Sequence, residues 1–460
     1  MTSGTTPQTS PPDERTPAIP SSDRPARRSS LAQGLACGAC GAAFPLDGRT
    51  ACERCFGPLQ VVYDLAQLRG SRPGPVLRGR EVGLWRFREL LPPVSPSCAA
   101  RLSVGNTPLR HAKELGALWG LEDLWLKDDT VLPSGSFKDR PASVAVARAA
   151  DLGFSRVGCA STGNLAAATA RAAARLGLPC QVFVPKDLPA SKLLPVLAFD
   201  GQIVEVDGTY DDANRVANLL GERGEVGLVN IGLRPYYTEG SKTLVLETLE
   251  ALGWESPDWV GVPLGSGALL AATERGVDRV RDLGWLDGSG GDAPALFGSQ
   301  PVGCAPIADA FARGDDQIVP VRRPDTIAES LAIGDPASGY EALSAIRRSG
   351  GFADAPTSEE VRSAILETAR REGLWVEPAG GTVLASIKRK LEQGVIHRTD
   401  RVVAFLTGAG WKTPQALGAP SSWARPVQHL PADARNTEAP RPSPRPPAAR
   451  TATPTEVRAW

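Results

Sequence analysis

The feature that most constrains the fold is an alternation of short apolar segments with longer helical segments between residues 156 and 223. The strand candidates are residues 156–161, 181–184 and 202–206, and the helix candidates between them are residues 165–176, 190–199 and 211–223. Strands that alternate with helices of this length predict a parallel sheet that helices cover on both faces. The first of these helices is rich in alanine and ends before Gly177, a residue suited to a left-handed helix cap.

The turns that follow the predicted strands carry polar groups. Residues 161–164 (STGN) follow a strand and open the alanine-rich helix. Backbone amides and hydroxyls at the positive end of a helix form an anion site. We therefore expect Ser161, Thr162 and Gly163 to bind a substrate carboxylate.

Two more apolar segments, residues 259–262 and 401–406, lead into turns that contain glycine. In the first turn the amides of Gly265, Ser266 and Gly267 are spaced to hold a phosphate, although the segment is neither a GxxxxGKS loop nor a full GxGxxG motif. In the second turn Thr407 places a hydroxyl at the end of a strand. Ligands of parallel sheets bind at such strand ends.

Lys138 lies among small and turn-forming residues in the segment PSGSFKDRP, residues 133–141. A lysine in a dry cleft loses its charge easily and reacts with an aldehyde to form a Schiff base. Taken alone, this lysine favours a charged surface segment over a catalytic site. Together with the carboxylate site, the phosphate site and the hydroxyl, it defines one pocket.

Four cysteines near the N-terminus follow the pattern C-x2-C-x11-C-x2-C, at Cys37, Cys40, Cys52 and Cys55. Two such pairs supply four thiolates for a tetrahedral zinc ion and leave no coordination position for water. Incidental pairs or disulfides are the alternative, which a cytoplasmic chain with otherwise scattered cysteines disfavours. The pattern predicts a structural zinc ribbon over residues 34–60.

Composition separates the ends of the chain from its centre. Residues 1–33 and 416–460 are rich in Pro, Ser, Thr and Arg, so we expect both tails to be disordered, with partner binding by the C-terminal tail as an alternative. The chain has 51 basic and 51 acidic side chains, which argues against nucleic acid or anionic membrane as a partner. Because it has neither a long apolar run nor a secretory signal, we expect a cytoplasmic protein.

Seven segments resemble, in order and spacing, the pyridoxal-phosphate enzymes of the tryptophan synthase β family (fold type II), and most closely threonine synthase-like proteins. The resemblance covers about residues 100–415 through the segments GNTPL, PSGSFKDR, STGN, PLGSG, TIAESLAIGDPAS, EPAGG and LTGAGWK. It implies an α/β catalytic domain over residues 61–415, with two doubly wound subdomains around a central cleft. It also implies a homodimer that acts on a small amino-acid substrate.

The resemblance implies a role for each matching residue. Lys138 would bind the cofactor aldehyde as a Schiff base, and Asn164 would donate a hydrogen bond to the ring oxygen of the cofactor. Thr407 would face the pyridine nitrogen, where a neutral hydroxyl leaves the ring unprotonated. The cofactor phosphate would be held by Gly265, Ser266, Gly267, Ala268 and Leu269.

The implied reaction is a lyase reaction that converts O-phosphohomoserine and water to threonine and phosphate, with Lys138 as the proton carrier. Threonine synthases bind the substrate phosphate with polar groups at positions that Ile231, Gly232 and Tyr237 occupy here. Arg234, Lys242 or the region of Ser136 would then have to rebuild that site. Two alternatives follow, namely a related β-replacement or dehydratase enzyme for another amino acid, and a non-catalytic homologue that binds a partner.

Overall fold

The computed structural model describes residues 30–286 and 293–419. Most of the two tails for which we predict disorder, residues 1–33 and 416–460, lies outside these described residues. The described chain begins with an antiparallel sheet of strands β1 (Ala32–Cys37), β2 (Ala43–Phe44) and β3 (Leu59–Tyr63), in the order β2-β1-β3. Residues 32–63, which include the four cysteines of the predicted ribbon, are called the cysteine module below.

After β4 (Leu109–His111) and β5 (Asp123–Asp128), the chain forms a separate four-stranded sheet. Its strands are β6 (Val157–Ala160), β7 (Cys180–Pro185), β8 (Gln202–Val206) and β9 (Gly227–Leu228). They lie in the order β8-β7-β6-β9, and every neighbouring pair is parallel. The parallel sheet predicted from the alternating pattern is confirmed.

A larger sheet combines β4 and β5 with β10 (Trp259–Pro263), β11 (Ala295–Ser299), β12 (Ala353–Asp354) and β13 (Arg401–Leu406). The strand order is β12-β11-β10-β13-β5-β4, and only the pair of β4 with β5 is antiparallel. Since β5, β10 and β13 are adjacent and parallel, the turns that follow them lie at one edge of this sheet.

The helices between these strands are α1 (Pro73–Leu77), α2 (Pro96–Arg101), α3 (Lys113–Trp119), α4 (Asp139–Asp151), α5 (Asn164–Leu176), α6 (Ala190–Leu197), α7 (Tyr210–Glu222), α8 (Arg234–Ser241), α9 (Thr243–Ala251), α10 (Ala268–Asp282), α11 (Pro306–Arg313), α12 (Gly339–Arg348), α13 (Ser358–Glu372) and α14 (Pro378–Glu392). The alanine-rich helix α5 ends at Gly177 with φ of 71°, as predicted. No helix in the described ranges is long and apolar enough to cross a membrane.

The four-stranded sheet and the larger sheet both bury side chains on their two faces. In the four-stranded sheet, Val182 packs in one core with α4 and α5, whereas Phe183 packs in another with α7. In the larger sheet, Val403 belongs to the core with α10 and α12, and Val402 to the core with α13 and α14. Because neighbouring residues of a strand point to opposite faces, this division shows that helices cover both sides of each sheet.

Candidate active site

The end of β13 holds the loop that carries Lys138. Ser136 and Gly408 form an antiparallel bridge. The amide of Phe137 donates to the carbonyl of Thr407 at 2.9 Å, and the amide of Ala409 donates to the carbonyl of Gly135 at 2.9 Å. Lys138 is the residue immediately before α4, so its backbone is fixed by the sheet on one side and by a helix on the other.

The amine of Lys138 contacts two aromatic rings. Its Nζ donates a 2.7 Å hydrogen bond to the hydroxyl of Tyr237 on α8, and it lies 4.4 Å from the ring centre of Phe137. Lys138 is partly buried, and Tyr237 is 7% exposed. From the sequence alone, Tyr237 is only a residue that stands where related proteins carry a phosphate-binding group.

A buried carboxylate, Glu377, lies beside Asn164, one of the predicted cofactor residues. The side-chain amide of Asn164 donates to its two oxygens at 3.0 and 3.3 Å. Burial raises the pKa of Glu377, and the amide of Asn164, the charge of Lys138 and the hydroxyl of Thr407 oppose that rise. The structure thus brings Lys138, Asn164 and Thr407 around one carboxyl group.

Glu377 and Lys412 are site residues that the sequence analysis did not identify. Lys412 donates to the carbonyl of Ser134 at 2.7 Å, and burial lowers its pKa while the charge of Glu377 opposes that effect. A Cβ atom at Gly408 would lie 2.3 Å from the Glu377 carboxyl group, so glycine leaves room for the acid. Both residues lie in segments that carry the family resemblance, EPAGG and LTGAGWK. These segments are the sequence signal from which both residues could have been identified.

The turn predicted to hold a phosphate precedes α10. Gly267 has φ of 84° and offers no capping side chain, and the amide of Ala268 donates to the hydroxyl of Ser266 at 3.5 Å. The carbonyl of Ser266 accepts a 2.8 Å bond from the amide of Ser338, and a Cβ atom at Gly267 would lie 2.4 Å from the carbonyl oxygen of Ser338. Of the five predicted residues, Gly265 to Ala268 form the turn and the first helical position, whereas the Leu269 side chain is buried in the core.

The turn predicted to hold a substrate carboxylate lies at the start of α5. The amide of Gly163 donates to the hydroxyl of Ser161 at 3.3 Å, and no side chain caps the helix. Ser161 and Thr162 are partly buried, and Gly163 is exposed. Asn164, the first residue of α5, bonds to Glu377, so this turn lies next to the same carboxyl group.

These groups fit pyridoxal phosphate. Lys138 provides an amine for the aldehyde, Thr407 a neutral hydroxyl at a strand end, and the amides of the turn before α10 a site for a phosphate.

The four cysteines of the module lie close together. The sulfurs of Cys37 and Cys55 are 3.5 Å apart, those of Cys40 and Cys52 are 3.6 Å apart, and all four lie within 4.8 Å of one another. Tetrahedral zinc with bonds of about 2.3 Å to sulfur separates its thiolates by about 3.8 Å. The four side chains therefore match the size of a tetrahedral metal site.

Comparison with known proteins agrees with the geometry of the cleft. The family model described as pyridoxal-phosphate dependent enzyme matches residues 100–408. A threonine synthase of Methanocaldococcus jannaschii is 37% identical over 381 residues, which are 83% of this chain and 93% of that protein. A threonine synthase of Methanosarcina acetivorans is 34% identical over 389 residues, with 83% of this chain and 93% of that protein covered.

Solved structures share the fold. Maize serine racemase aligns with a TM-score of 0.56 and 23% identity over 68% of this chain and 91% of that one. The processed form of threonine deaminase isoform 2 from Solanum lycopersicum aligns with a TM-score of 0.57 and 22% identity over 70% of this chain and 90% of that one. Given the family match and the identity to threonine synthases over most of their length, this chain belongs to the pyridoxal-phosphate-dependent enzymes and, among them, to the threonine synthase-like proteins.

Proposed function

We propose that this protein is a pyridoxal-phosphate-dependent lyase that converts O-phosphohomoserine and water to threonine and phosphate. The observation that carries the proposal is the convergence of the Lys138 amine, Asn164 and Thr407 on the buried carboxyl group of Glu377. The identity of 37% to a threonine synthase favours this reaction among those of the family.

The residues of the cleft divide the work between holding the cofactor and moving a proton. Lys138, Asn164, Thr407 and the turn from Gly265 to Leu269 would hold pyridoxal phosphate, which supplies an electron sink for the substrate carbanion when bound. The amine of Lys138 takes the proton from the α-carbon of the substrate and returns it later. The amides and hydroxyls of Ser161, Thr162 and Gly163 bind the substrate carboxylate, which fixes the α-carbon near that amine.

The groups that would rebuild the substrate-phosphate site are already engaged. Arg234 donates to the carbonyl of Ala337 and to the hydroxyl of Ser338, and the fully buried Lys242 donates to Glu239. Ser136 is also fully buried. A buried phosphate needs partners, and the side-chain amide of Asn230 donates at 3.4 Å to the carbonyl of Ala160, the residue before the STGN turn. We therefore assign phosphate recognition to the Asn230 side chain and the Tyr237 hydroxyl, which accepts from Lys138 and keeps its own hydrogen for the phosphate.

The decisive experiment incubates the holoenzyme with O-phosphohomoserine and measures threonine and free phosphate. We expect the two products in equal amounts, and no turnover with Lys138→Ala, whose cofactor should also lose the visible absorbance of its bond to lysine. Lys186→Ala is a matched control, since this exposed lysine pairs only with Asp207 in the described contacts.

The alternative is a related enzyme for another amino acid, which the apolar positions Ile231 and Gly232 favour. Ammonia and a keto acid released from serine or threonine, without phosphate release from O-phosphohomoserine, would establish that alternative. Retained absorbance and activity in Lys138→Ala would refute both reactions.

We further assign a structural zinc ion to Cys37, Cys40, Cys52 and Cys55, whose sulfurs have the spacing of a four-thiolate site. We also assign the enzyme to the cytoplasm as a homodimer, following the family. Zinc content per chain, sedimentation and cell fractionation test these three assignments.

A further inference from the structure

Helix α8 connects the catalytic lysine to the cysteine module. Tyr237 of α8 accepts the hydrogen bond of Lys138 at 2.7 Å. The preceding residue, Tyr236, donates from its hydroxyl to the carbonyl of Asp47 in the module at 2.7 Å. Adjacent residues of one helix turn thus contact the reacting amine and the module.

The same module loop also contacts the helix that follows Lys138. Arg148 of α4 donates to the carbonyl of Leu46 at 3.2 Å, and its guanidinium lies 5.0 Å from the ring centre of Tyr236. Leu46 and Asp47 lie between the two cysteine pairs. One loop of the module therefore bonds to α4, which begins after Lys138, and to α8, which carries Tyr237.

A second contact joins the module to the end of α8. Tyr63, the last residue of β3, donates to the carboxylate of Glu239, which also accepts from Lys242. The amine of Lys242 lies 4.4 Å from the ring centre of Tyr63. Glu239 and Lys242 are 3% and 1% exposed, so this polar contact has no water to replace a lost partner.

The helices themselves are packed too closely to shift independently. A Cβ atom at Gly240 of α8 would lie 2.6 Å from the carbonyl oxygen of Arg140 in α4. Tyr236 is fully buried. A change at the module surface is therefore transmitted through the packed helices α8 and α4 to the pair of Lys138 and Tyr237.

We propose that the cysteine module positions the hydroxyl of Tyr237 against the amine of Lys138, and that this hydroxyl orients the amine for proton transfer. Tyr237 touches the reacting atom, whereas Tyr236 and Tyr63 are positioning residues that act through α8. The inference rests on the proposed role of Lys138 but not on the identity of the substrate.

The test measures how fast hydroxylamine releases Lys138 from the cofactor in the full-length holoenzyme, followed by visible absorbance. In this step the hydroxylamine nitrogen forms the double bond to the cofactor's aldehyde carbon and the bond of that carbon to Nζ of Lys138 breaks. The two hydrogens that the hydroxylamine nitrogen loses pass to Nζ, so the lysine leaves as a free amine. We expect Tyr237→Phe to slow the step about tenfold, the effect of losing one hydrogen bond to the amine. Tyr236→Phe should slow it about threefold or more, since small misplacements of reacting groups reduce rates strongly.

A double-mutant cycle distinguishes positioning from general stability. If the module acts through Tyr237, Tyr236→Phe should have little further effect in the Tyr237→Phe background. Removal of the proposed zinc ion from the wild type by a chelator should slow the release of Lys138 as much as Tyr236→Phe does. It should also speed amide hydrogen exchange in α8. Additive effects, or unchanged rates in both single variants, would overturn the proposal.

Ser241→Ala is the matched control, because it removes a buried hydroxyl of α8 that bonds only within the helix, to the carbonyl of Tyr237 at 3.3 Å. It should leave the release rate unchanged. Should Tyr236→Phe not fold, the chelator arm and Tyr63→Phe decide the question. If the two mutations prove non-additive but the enzyme forms no threonine, only the substrate assignment is wrong. If Lys138→Ala retains the visible absorbance, the assigned role of Lys138 is wrong.

Discussion

The guanidinium of Arg140 donates a 2.7 Å hydrogen bond to Oε2 of Glu247, and the two side chains are 0% and 6% exposed. Arg140 also donates to both oxygens of Asp129 at 2.7 and 2.9 Å, and Lys127 donates to Glu247 at 3.1 Å. Arg140 lies two residues after Lys138, so this buried network ties the lysine loop to the end of β5 and to α9.

Glu247→Gln should lower the free energy of unfolding by about 3–5 kcal/mol near neutral pH, the usual cost of removing one partner of a buried ion pair. Burial by itself would raise the pKa of Glu247, but the charges of Arg140 and Lys127 outweigh it and lower the pKa to about 2. The stabilisation is therefore complete above the unfolded pKa of about 4.5 and is lost as the pH falls towards 2.

Urea unfolding of the wild type and of Glu247→Gln between about pH 2.5 and pH 7 checks this prediction. The difference in the free energy of unfolding between the two proteins should become smaller as the pH falls below about 4.5. Glu274→Gln is the control, since Glu274 pairs with the exposed Arg348 and should cost at most about 1 kcal/mol. A difference for Glu247→Gln that does not depend on pH would contradict the assigned charge.

Glu377→Gln should change the pH dependence of stability in the opposite direction. Burial raises the pKa of Glu377 in the folded protein, so the folded state binds the proton more tightly than the unfolded chain does. The protonated carboxyl group therefore stabilises the folded protein below the pKa that Glu377 has in the unfolded chain. This stabilisation is lost as the pH rises through the pKa of Glu377 in the folded protein. In protein freed of cofactor, the glutamine variant should therefore gain stability relative to the wild type as the pH rises above about 4.5. Parallel urea curves at every pH would show that Glu377 ionises normally.

Gly267→Ala should weaken cofactor binding at least about tenfold, or about 1.4 kcal/mol. Its φ of 84° disfavours a side chain, and a Cβ atom would collide with the backbone of Ser338 next to the predicted phosphate turn. Gly284→Ala is a close control, because Gly284 has φ of 71° but nothing within 4 Å of the added carbon. Titration of both variants with pyridoxal phosphate should show weaker binding in Gly267→Ala alone.

Cys55→Ser should lower the zinc content and the melting temperature, because a tetrahedral structural site loses one of its four ligands. Cys98→Ser should keep its zinc, since Cys98 is buried in the core outside the cysteine cluster. Metal analysis with thermal unfolding tests both variants. Equal zinc contents in Cys55→Ser and in the wild type would exclude the four-cysteine site.

The sequence by itself determined the features that depend on local pattern and spacing. The sequence pattern located β8 and β13 at their observed bounds, and β13 is the clearer case because a buried strand between helices needs an apolar run. The cysteine spacing predicted a cluster that the sulfurs form. The turns at Lys138, Asn164 and Thr407 were identifiable because each follows directly on a strand or precedes a helix.

Only the tertiary structure decided which polar groups contact one another. Glu377 meets Asn164 across 213 residues of chain, and Tyr237 meets Lys138 across 99. The contact of Tyr236 with Asp47 spans 189 residues. Such partners leave no periodic trace, because a buried polar group requires some partner nearby but does not specify where in the chain that partner stands. The packing of α8 against α4 and the cysteine module therefore determines how the lysine of this enzyme is held.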